Sequence, residues 1–223
     1  MSSNFSHSEE NYIKNIYHLQ QSTGFATTNE LAAALRSKPA SITDMLKKLK
    51  AKKLLIYEPY KEFNLSPQGK KIALGIVRRH RLWEYFLVEK LKFGWDEVHE
   101  IAEELEHVSN KKLTDQLDQF LNYPRFDPHG DPIPDSNGKM IVQQQMILTE
   151  LALNAPSLVS SVGSQSSELL ELLKHKNITI GTRVEVKKKF SFDRSLELKL
   201  NNQVAVNISE QLASVLFVKS VKM

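Results

Sequence analysis

The stretch at residues 98–110, VHEIAEELEHVSN, favours an amphipathic helix that has an edge of potential metal ligands. These ligands are His99, Glu103, Glu106 and His107. Because a helix turns about 100° per residue, their spacing brings all four within roughly 100° of arc, beside an apolar face. A solvated edge normally mixes in Lys, Arg, Gln and Ser, and this edge has none of them. The pattern therefore predicts a cation-binding edge. The alternative is a glutamate-rich helix face that is solvated and binds no ion.

Two further pairs of potential ligands flank this helix. His80 and Glu84 are four residues apart in a helical pattern, and two helices that each present His and Glu can converge on one divalent cation. Residues 123–139 contain four Pro and two Gly, which predicts an irregular loop. Within this loop, Asp127 and His129 form an Asp-x-His pair on a backbone stiffened by Pro. The alternative for the loop is a surface linker with one incidental His.

The distribution of charge suggests two different partners. Residues 1–81 hold 14 Lys and Arg against 6 Asp and Glu, whereas residues 84–135 hold 5 against 13. The basic residues 1–81 suggest a polyanionic partner, and the acidic residues 84–135, which include three His, suggest a bound cation. The 223 residues include no cysteine and no apolar run of membrane-spanning length, and the N-terminus has no signal-peptide pattern. We therefore predict a cytoplasmic protein of two or three small domains.

The pattern of the basic N-terminal part, residues 1–81, is typical of a winged helix-turn-helix. A first helix is predicted at residues 8–21 with Ser8 as its cap, and Thr27 with Glu30 matches a capping box for a short second helix. A third helix follows at residues 39–52, and two short strands at residues 54–58 and 63–65 then form a wing. The alternative is a generic three-helix core with a basic surface. The predicted DNA-binding residues are Lys38, Ala40, Ser41, Thr43, Lys47, Lys48, Tyr60 and Lys61.

The rest of the sequence predicts further helices, followed by a small β domain. A long helix at residues 70–92 carries Leu82, Phe86 and Leu87 on a face more apolar than one small domain needs, which suggests a dimer interface. One more amphipathic helix is predicted at residues 112–121. Short strands and tight turns after residue 146 suggest a small β-barrel. No catalytic motif, Gly-rich phosphate loop or internal repeat occurs in the sequence.

Six segments in combination resemble the diphtheria-toxin-repressor (DtxR/MntR) family of metal-dependent transcription regulators, especially its manganese-responsive branch. They are SEENYIKNIYHL, PASITDMLKKL, LIYEPYKEFNLSPQGKKIA, RRHRLWEYFL, VHEIAEELEHVSN and FDPHGDPIP. The segment around SSELLELLKHKNITIGTRVEV resembles the SH3-like (FeoA-like) domain of three-domain members. The resemblance implies a mostly α protein with a small β domain. Its domains would be a winged helix-turn-helix at residues 1–72, a helical metal-binding and dimerisation domain at 73–143, and an SH3-like β-barrel at 144–223.

The resemblance also implies a homodimer that binds operator DNA when Mn(II) or Fe(II) is present, and it assigns ligands to two clusters. The first cluster consists of His80, Glu103, Glu106 and His107, with Asn11 as the contribution of the first helix. The second cluster consists of Glu84, Asp127, His129 and Glu168. His99 matches an ancillary ligand in some members and could join either cluster.

Three positions depart from the pattern of the family. Glu103 stands where iron-responsive members have Cys in this helix, and Asp127 stands where many members have Cys before Pro-His-Gly. Oxygen ligands favour harder ions than sulfur ligands do. We therefore predict Mn(II), with Fe(II) as the alternative, and expect Zn(II) to occupy the sites in vitro by the Irving–Williams order. Asn11 stands where the first helix usually offers Asp or Met, and its neutral amide oxygen is a weaker ligand.

Two rival functions come from other classes. A di-metal carboxylate enzyme also places Glu and His on helices, but it needs two Glu-x-x-His repeats. Only Glu104 lies three residues before one of the helical His residues, His107, so we predict that the protein is not an enzyme. The second rival is a winged-helix regulator that needs no metal, and metal analysis of the purified protein separates it from our prediction.

Overall fold

The structure, a computed structural model, describes residues 5–58, 61–108, 110–201 and 205–221. The chain forms two compact units. Unit 1 comprises Met1–His80, Glu104–Asp115 and Pro134–Lys139, and unit 2 comprises Arg81–Glu103, Gln116–Ile133 and Met140–Met223. The predicted boundaries at residues 72 and 143 divide the chain differently, and they stay a prediction.

Unit 1 begins with the three predicted helices, α1 (His7–Thr23), α2 (Thr28–Ala34) and α3 (Pro39–Ala51). The predicted cap of α1 at Ser8 is wrong, because Ser6 and Glu9 form a reciprocal capping box that starts the helix earlier. The capping box of Thr27 and Glu30 is confirmed for α2. The helices bury one apolar stripe each, and the fully buried members are Ile13, Ile16, Leu31, Ile42, Leu46 and Leu49.

The wing consists of β1 (Leu55–Ile56) and β2 (Asn64–Leu65), which pair antiparallel. Both strands are shorter than predicted. The next helix, α4 (Pro67–Glu89), packs so closely on the start of the wing that a Cβ atom on Gly69 would lie 2.2 Å from the carbonyl oxygen of Leu54. Only glycine allows this approach, which holds the wing against the helix.

The helical part continues with α5 (Val98–Val108) and α6 (Lys111–Phe120), as the periodicity predicts. Among the described residues, none of the helices combines the length and the hydropathy that a bilayer span requires. A core cluster in unit 2 consists of Leu82, Leu117, Leu121 and Ile133. Leu82 and Leu87 are buried within this unit, so neither can present its side chain to a partner as predicted, whereas Phe86 stays partly exposed.

The C-terminal part of unit 2 contains β3 Met146–Ile147, β4 Ser157–Val162, α7 Ser167–His175, β5 Arg183–Lys189, β6 Leu196–Leu200, β7 Ala205–Ile208, α8 Glu210–Ala213 and β8 Leu216–Ser220. The strands form one six-stranded antiparallel sheet with the order β3-β8-β4-β5-β6-β7. This confirms the predicted small β domain, although the two-residue strand β3 and the 3-10 turn Leu148–Glu150 carry too little pattern to be predicted.

Candidate metal centres

Three residues of the second cluster come together inside unit 2. Glu84 lies on α4, and Asp127 and His129 lie on the loop that follows α6. Each offers one ligand atom, and these atoms all lie within 4.8 Å of one another. Their side chains are fully buried. Two carboxylates and one imidazole therefore converge on a single point, which is a donor set that suits a divalent cation.

The hydrogen bonds of His129 select its tautomer. Its Nε2 lies 2.8 Å from the carbonyl oxygen of Trp95, whose ring stacks on the imidazole. Because a carbonyl can only accept, Nε2 carries the proton in the neutral ring, and the lone pair is then on Nδ1. This Nδ1 is 3.6 Å from Oε2 of Glu84 and makes no hydrogen bond among the described residues. A backbone acceptor that orients an imidazole in this way is typical of metal-binding histidines.

The loop backbone also orients Asp127, so that one carboxylate oxygen is held and the other is left for a ligand. Its Oδ1 accepts hydrogen bonds from the backbone N–H groups of His129 (2.8 Å) and Asp131 (3.0 Å). Its Oδ2 lies 3.4 Å from Nε of Arg81 and makes no hydrogen bond among the described residues. Gly130 has a φ of +87°, and a Cβ atom there would lie 2.0 Å from the carbonyl oxygen of Ser160 on β4. The turn that joins the two ligands therefore requires glycine.

The carboxylates of the second cluster affect the pKa values of their neighbours. Burial raises the pKa of Asp127 to about 7, and the negative charges of Glu84 and Asp131 add to this effect. Burial lowers the pKa of His129, but the neighbouring Glu84 outweighs burial and raises that pKa to about 8. The negative charge of Glu84 favours the protonated form of both groups. A metal ion that binds here would release these protons.

Two other predicted ligands differ in their placement. The Nδ1 atom of His99 lies 3.2 Å from Oε1 of Glu84, so His99 accompanies the second cluster. Glu168 is exposed on α7 and is absent from the described groups of converging ligand atoms, so its role stays a prediction. Instead, Gln165 donates a hydrogen bond to Asp131 at 3.2 Å. The sequence analysis missed Gln165 because a Gln before a helix carries no distinctive pattern.

The first cluster lies around Glu106, whose side chain is fully buried in unit 1. Its Oε2 is 2.7 Å from Nδ1 of His80, and its Oε1 is 2.7 Å from Nζ of Lys14. Nδ1 of His107 lies 2.7 Å from Glu10, which also pairs with Arg79 at 2.8 Å. The three elements α1, α4 and α5 each contribute to this network.

The electrostatics of the first cluster favour an ionised carboxylate. Burial raises the pKa of Glu106, but the hydrogen bond of His80 and the charge of Lys14 outweigh burial and lower it. On α5, Glu103 precedes Glu106 by one helical turn, and Oδ1 of Asn11 is buried without a hydrogen bond among the described residues. The assignment of both as metal ligands stays a prediction. The sequence analysis missed Lys14, because a lysine on a helix is normally solvated.

The residues predicted to bind DNA lie mainly on α3. The exposed ones include Lys38, Ala40, Ser41, Lys47, Lys48 and Lys61. The Thr43 hydroxyl donates to the Pro39 carbonyl at 3.0 Å, which leaves its oxygen able to accept. Nζ of Lys48 lies 3.2 Å from Glu9, so this lysine also makes a contact within the chain. Tyr60 lies outside the described residues. DNA contact stays a prediction for all of them.

Comparison with known proteins agrees with this arrangement. Residues 4–63 match the model of the iron dependent repressor N-terminal DNA binding domain, and residues 66–135 match that of the metal binding and dimerisation domain. The HTH-type transcriptional regulator MntR of Oceanobacillus iheyensis is 37% identical over 120 residues, which are 54% of this chain and 81% of that protein.

The chain belongs to the diphtheria-toxin-repressor family of metal-dependent transcriptional repressors. A solved structure described as a manganese-dependent transcriptional repressor complex with manganese superposes on this repressor with a TM-score of 0.87 and 28% identity. The superposition covers 96% of this chain and 100% of that one. The iron-dependent repressor IdeR of Mycobacterium leprae is 29% identical over 125 residues, which are 56% of this chain and 54% of that protein. Manganese and iron proteins therefore both occur among its relatives.

Proposed function

We propose that this repressor binds operator DNA as a homodimer when Mn(II) occupies the second cluster, and that it controls genes of metal-ion homeostasis in the cytoplasm. The observation that carries this proposal is the buried convergence of Glu84, Asp127 and His129. The donor set fits a hard or borderline divalent ion, because it contains two carboxylates and no sulfur. Fe(II) meets the same requirements, and Zn(II) is expected to bind more tightly in vitro.

The surrounding residues orient the ligands before any ion arrives. Trp95 holds the imidazole of His129, and the backbone of the loop holds Asp127. Arg81 donates to the Pro132 carbonyl at 2.6 Å and pairs with Asp131 at 3.3 Å, which fixes the far side of the loop. A bound ion would add positive charge beside the buried carboxylates.

The link to DNA runs through α4. This helix carries Glu84, and it begins two residues after the wing strand β2. Residues that hold an ion at Glu84 therefore act on the helix to which the wing is attached. An ion that favours one arrangement of this helix shifts the population toward that arrangement and so changes the affinity for operator DNA. Hydroxyls of Ser41 and Thr43 are suited to bases, and Lys47 and Lys61 to phosphates.

A dimer surface is proposed around Phe86 and Phe120. Phe120 is 61% exposed, and its ring centroid lies 6.3 Å from that of the partly buried Phe86. Exposed aromatic rings next to a buried apolar cluster are typical of a surface that a second copy covers. The buried Leu82 and Leu87 support this surface from below.

The test is binding of the chelated repressor to its own upstream DNA, measured by fluorescence anisotropy during titration with Mn(II), Fe(II) or Zn(II). We expect Mn(II) to tighten binding by about a hundredfold, within the usual range of coupling between two sites. His129→Ala should lose this response, whereas His175→Ala, an exposed residue at the end of α7, should keep it. Equal DNA affinity with Mn(II) and with chelator would contradict the proposal.

A further inference from the structure

One carboxylate of α1 holds two lysines at the end of α3. Oε1 of Glu9 lies 2.5 Å from Nζ of Lys52 and 3.2 Å from Nζ of Lys48. The Glu9 side chain is only 2% exposed, whereas the side chains of Lys48 and Lys52 are 54% and 40% exposed. A buried carboxylate of unit 1 therefore anchors two ammonium groups on side chains that stay accessible to solvent.

The two carboxylate oxygens of Glu9 have different partners. Oε2 accepts a hydrogen bond from the backbone N–H of Ser6 at 2.9 Å, which closes the capping box of α1, and Oε1 contacts the lysines. The capping box of α2 uses Glu30 in the same way, but the Glu30 side chain is only half-buried. Because a buried carboxylate is costly unless nearby charges offset it, the placement of Glu9 goes beyond what a helix cap requires.

Lys48 and Lys52 extend the exposed face of α3 that carries Ser41. The three residues are separated by seven and four positions, which places them within about 40° of arc on a helix. Lys52 directly follows Ala51, the last residue of α3. Its Nζ also lies 5.4 Å from the ring centroid of Phe5, and this cation–π contact further restricts its position. Both ammonium groups are thus held in line with a residue that is predicted to approach the bases.

The chemistry of this lysine pair fits a phosphate group. An ammonium group has three N–H donors, so Lys48 and Lys52 both keep donors beyond those directed at Oε1 of Glu9. A DNA phosphate offers a negative charge and several acceptor oxygens, and lysine contacts to phosphate fix a protein on the duplex without reading its sequence. Lysines that are held before DNA arrives lose less side-chain entropy on binding.

We infer that Glu9 is a positioning residue for DNA binding, which holds Lys48 and Lys52 where both contact phosphates of the operator backbone. Lys52 is thereby added to the DNA-binding residues that the sequence predicts, and the capping glutamate of α1 acquires a second role. This inference rests on the proposed function for the binding of DNA, but it does not depend on the response to Mn(II).

The experiment measures binding of the full-length repressor with Mn(II) to its own upstream duplex and to a scrambled duplex, by fluorescence anisotropy over a series of salt concentrations. Glu9→Gln removes the charge that attracts the lysines, but it keeps an acceptor for the Ser6 N–H, because glutamine also closes a capping box. We expect it to weaken binding to both duplexes about tenfold, because both lysine side chains must then be ordered on binding. Glu30→Gln, at the same place in the capping box of α2, is the matched control and should leave the affinity unchanged.

The salt dependence tests the phosphate contacts directly. Lys48→Gln and Lys52→Gln should each weaken binding to both duplexes and reduce the salt slope by about one. In a variant that carries both lysine substitutions, Glu9→Gln should have no further effect on DNA affinity, because the groups that it positions are gone. A role of Glu9 in the helix cap alone would instead weaken binding equally with and without the lysines.

The inference is overturned if Glu9→Gln leaves the affinity unchanged or raises it, if its effect persists without the two lysines, or if Lys52→Gln keeps the salt slope of the parent. Should Glu9→Gln not fold, the salt slopes of the two lysine variants decide the outcome. A parent that binds both duplexes without any response to Mn(II) would contradict the proposed function and leave the role of Glu9 intact.

Discussion

In the first cluster, Glu106 has Lys14 and His80 at 2.7 Å each, whereas in the second cluster the guanidinium of Arg81 is 3.4 Å from Asp127. Both carboxylates are fully buried, and yet their pKa values shift in opposite directions. Burial raises the pKa of Asp127 to about 7, with Glu84 adding to it, whereas His80 and Lys14 overcome burial and lower the pKa of Glu106.

The difference shows that burial alone does not identify a metal ligand. A buried carboxylate has a free-energy cost that some positive charge must offset, and the chain itself can supply that charge. Where a lysine does so, as Lys14 does for Glu106, part of this cost is offset before any metal arrives. Where the nearest cation is shared among several carboxylates, the site remains suited to a divalent ion. The comparison therefore separates two groups of residues that have nearly the same composition.

The largest effect is expected from a substitution that disturbs the backbone of the loop carrying two ligands of the second cluster. Gly130→Ala forces a φ of +87° on a residue with a Cβ atom and places that atom 2.0 Å from the Ser160 carbonyl oxygen. We expect a loss of about 4 kcal/mol in unfolding free energy, and a loss of Mn(II) affinity. The control is Gly181→Ala, which has a φ of +86° and nothing within 4 Å, and should lose about 1 kcal/mol. Equal losses in urea denaturation would show that strain alone, not loop contact, decides the outcome.

A somewhat smaller effect is expected at the first cluster in the absence of metal. Lys14→Met leaves the buried Glu106 without its ammonium partner and should cost about 3 kcal/mol in chelator. Adding Glu106→Gln should recover most of this loss, because the uncompensated charge is then gone. Lys52→Met, which removes a partly exposed lysine, should cost less than about 1 kcal/mol. A loss below 1 kcal/mol for Lys14→Met, measured by denaturation, would contradict the role of this pair.

The smallest effect sharpens the comparison with a third buried carboxylate. Burial raises the pKa of Glu9, but hydrogen bonds from Lys52, the Ser6 backbone and Lys48 lower it to about 2. Because this folded-state pKa lies below the ordinary value of 4.5, the stabilisation is present above about pH 4.5 and is lost as the pH falls toward 2. Glu9→Gln should cost about 1 kcal/mol at pH 7 and flatten this acid limb of the stability curve. An unchanged acid limb would remove Glu9 as its cause.

The sequence by itself determined the local structure of this repressor. Capping boxes and amphipathic periodicity act over a few residues, so α2 and α5 could be predicted. The residue types of the second cluster and the irregular loop were predictable for the same reason. Where signals were short or competing, prediction failed, as for the Ser6 cap of α1 and the two-residue strand β3.

Only the tertiary structure decided which charges neutralise which. Lys14 and Glu106 are 92 positions apart, and nothing in the pattern around either residue indicates the other. Arg81 and Asp131 are likewise 50 positions apart in the chain. From the sequence, a lysine on a helix is expected to be solvated, because most helical lysines are. The burial of Lys14 depends on three elements that pack around it. The energy of a charge depends on all neighbours within a few ångströms, and those neighbours come from distant parts of the sequence.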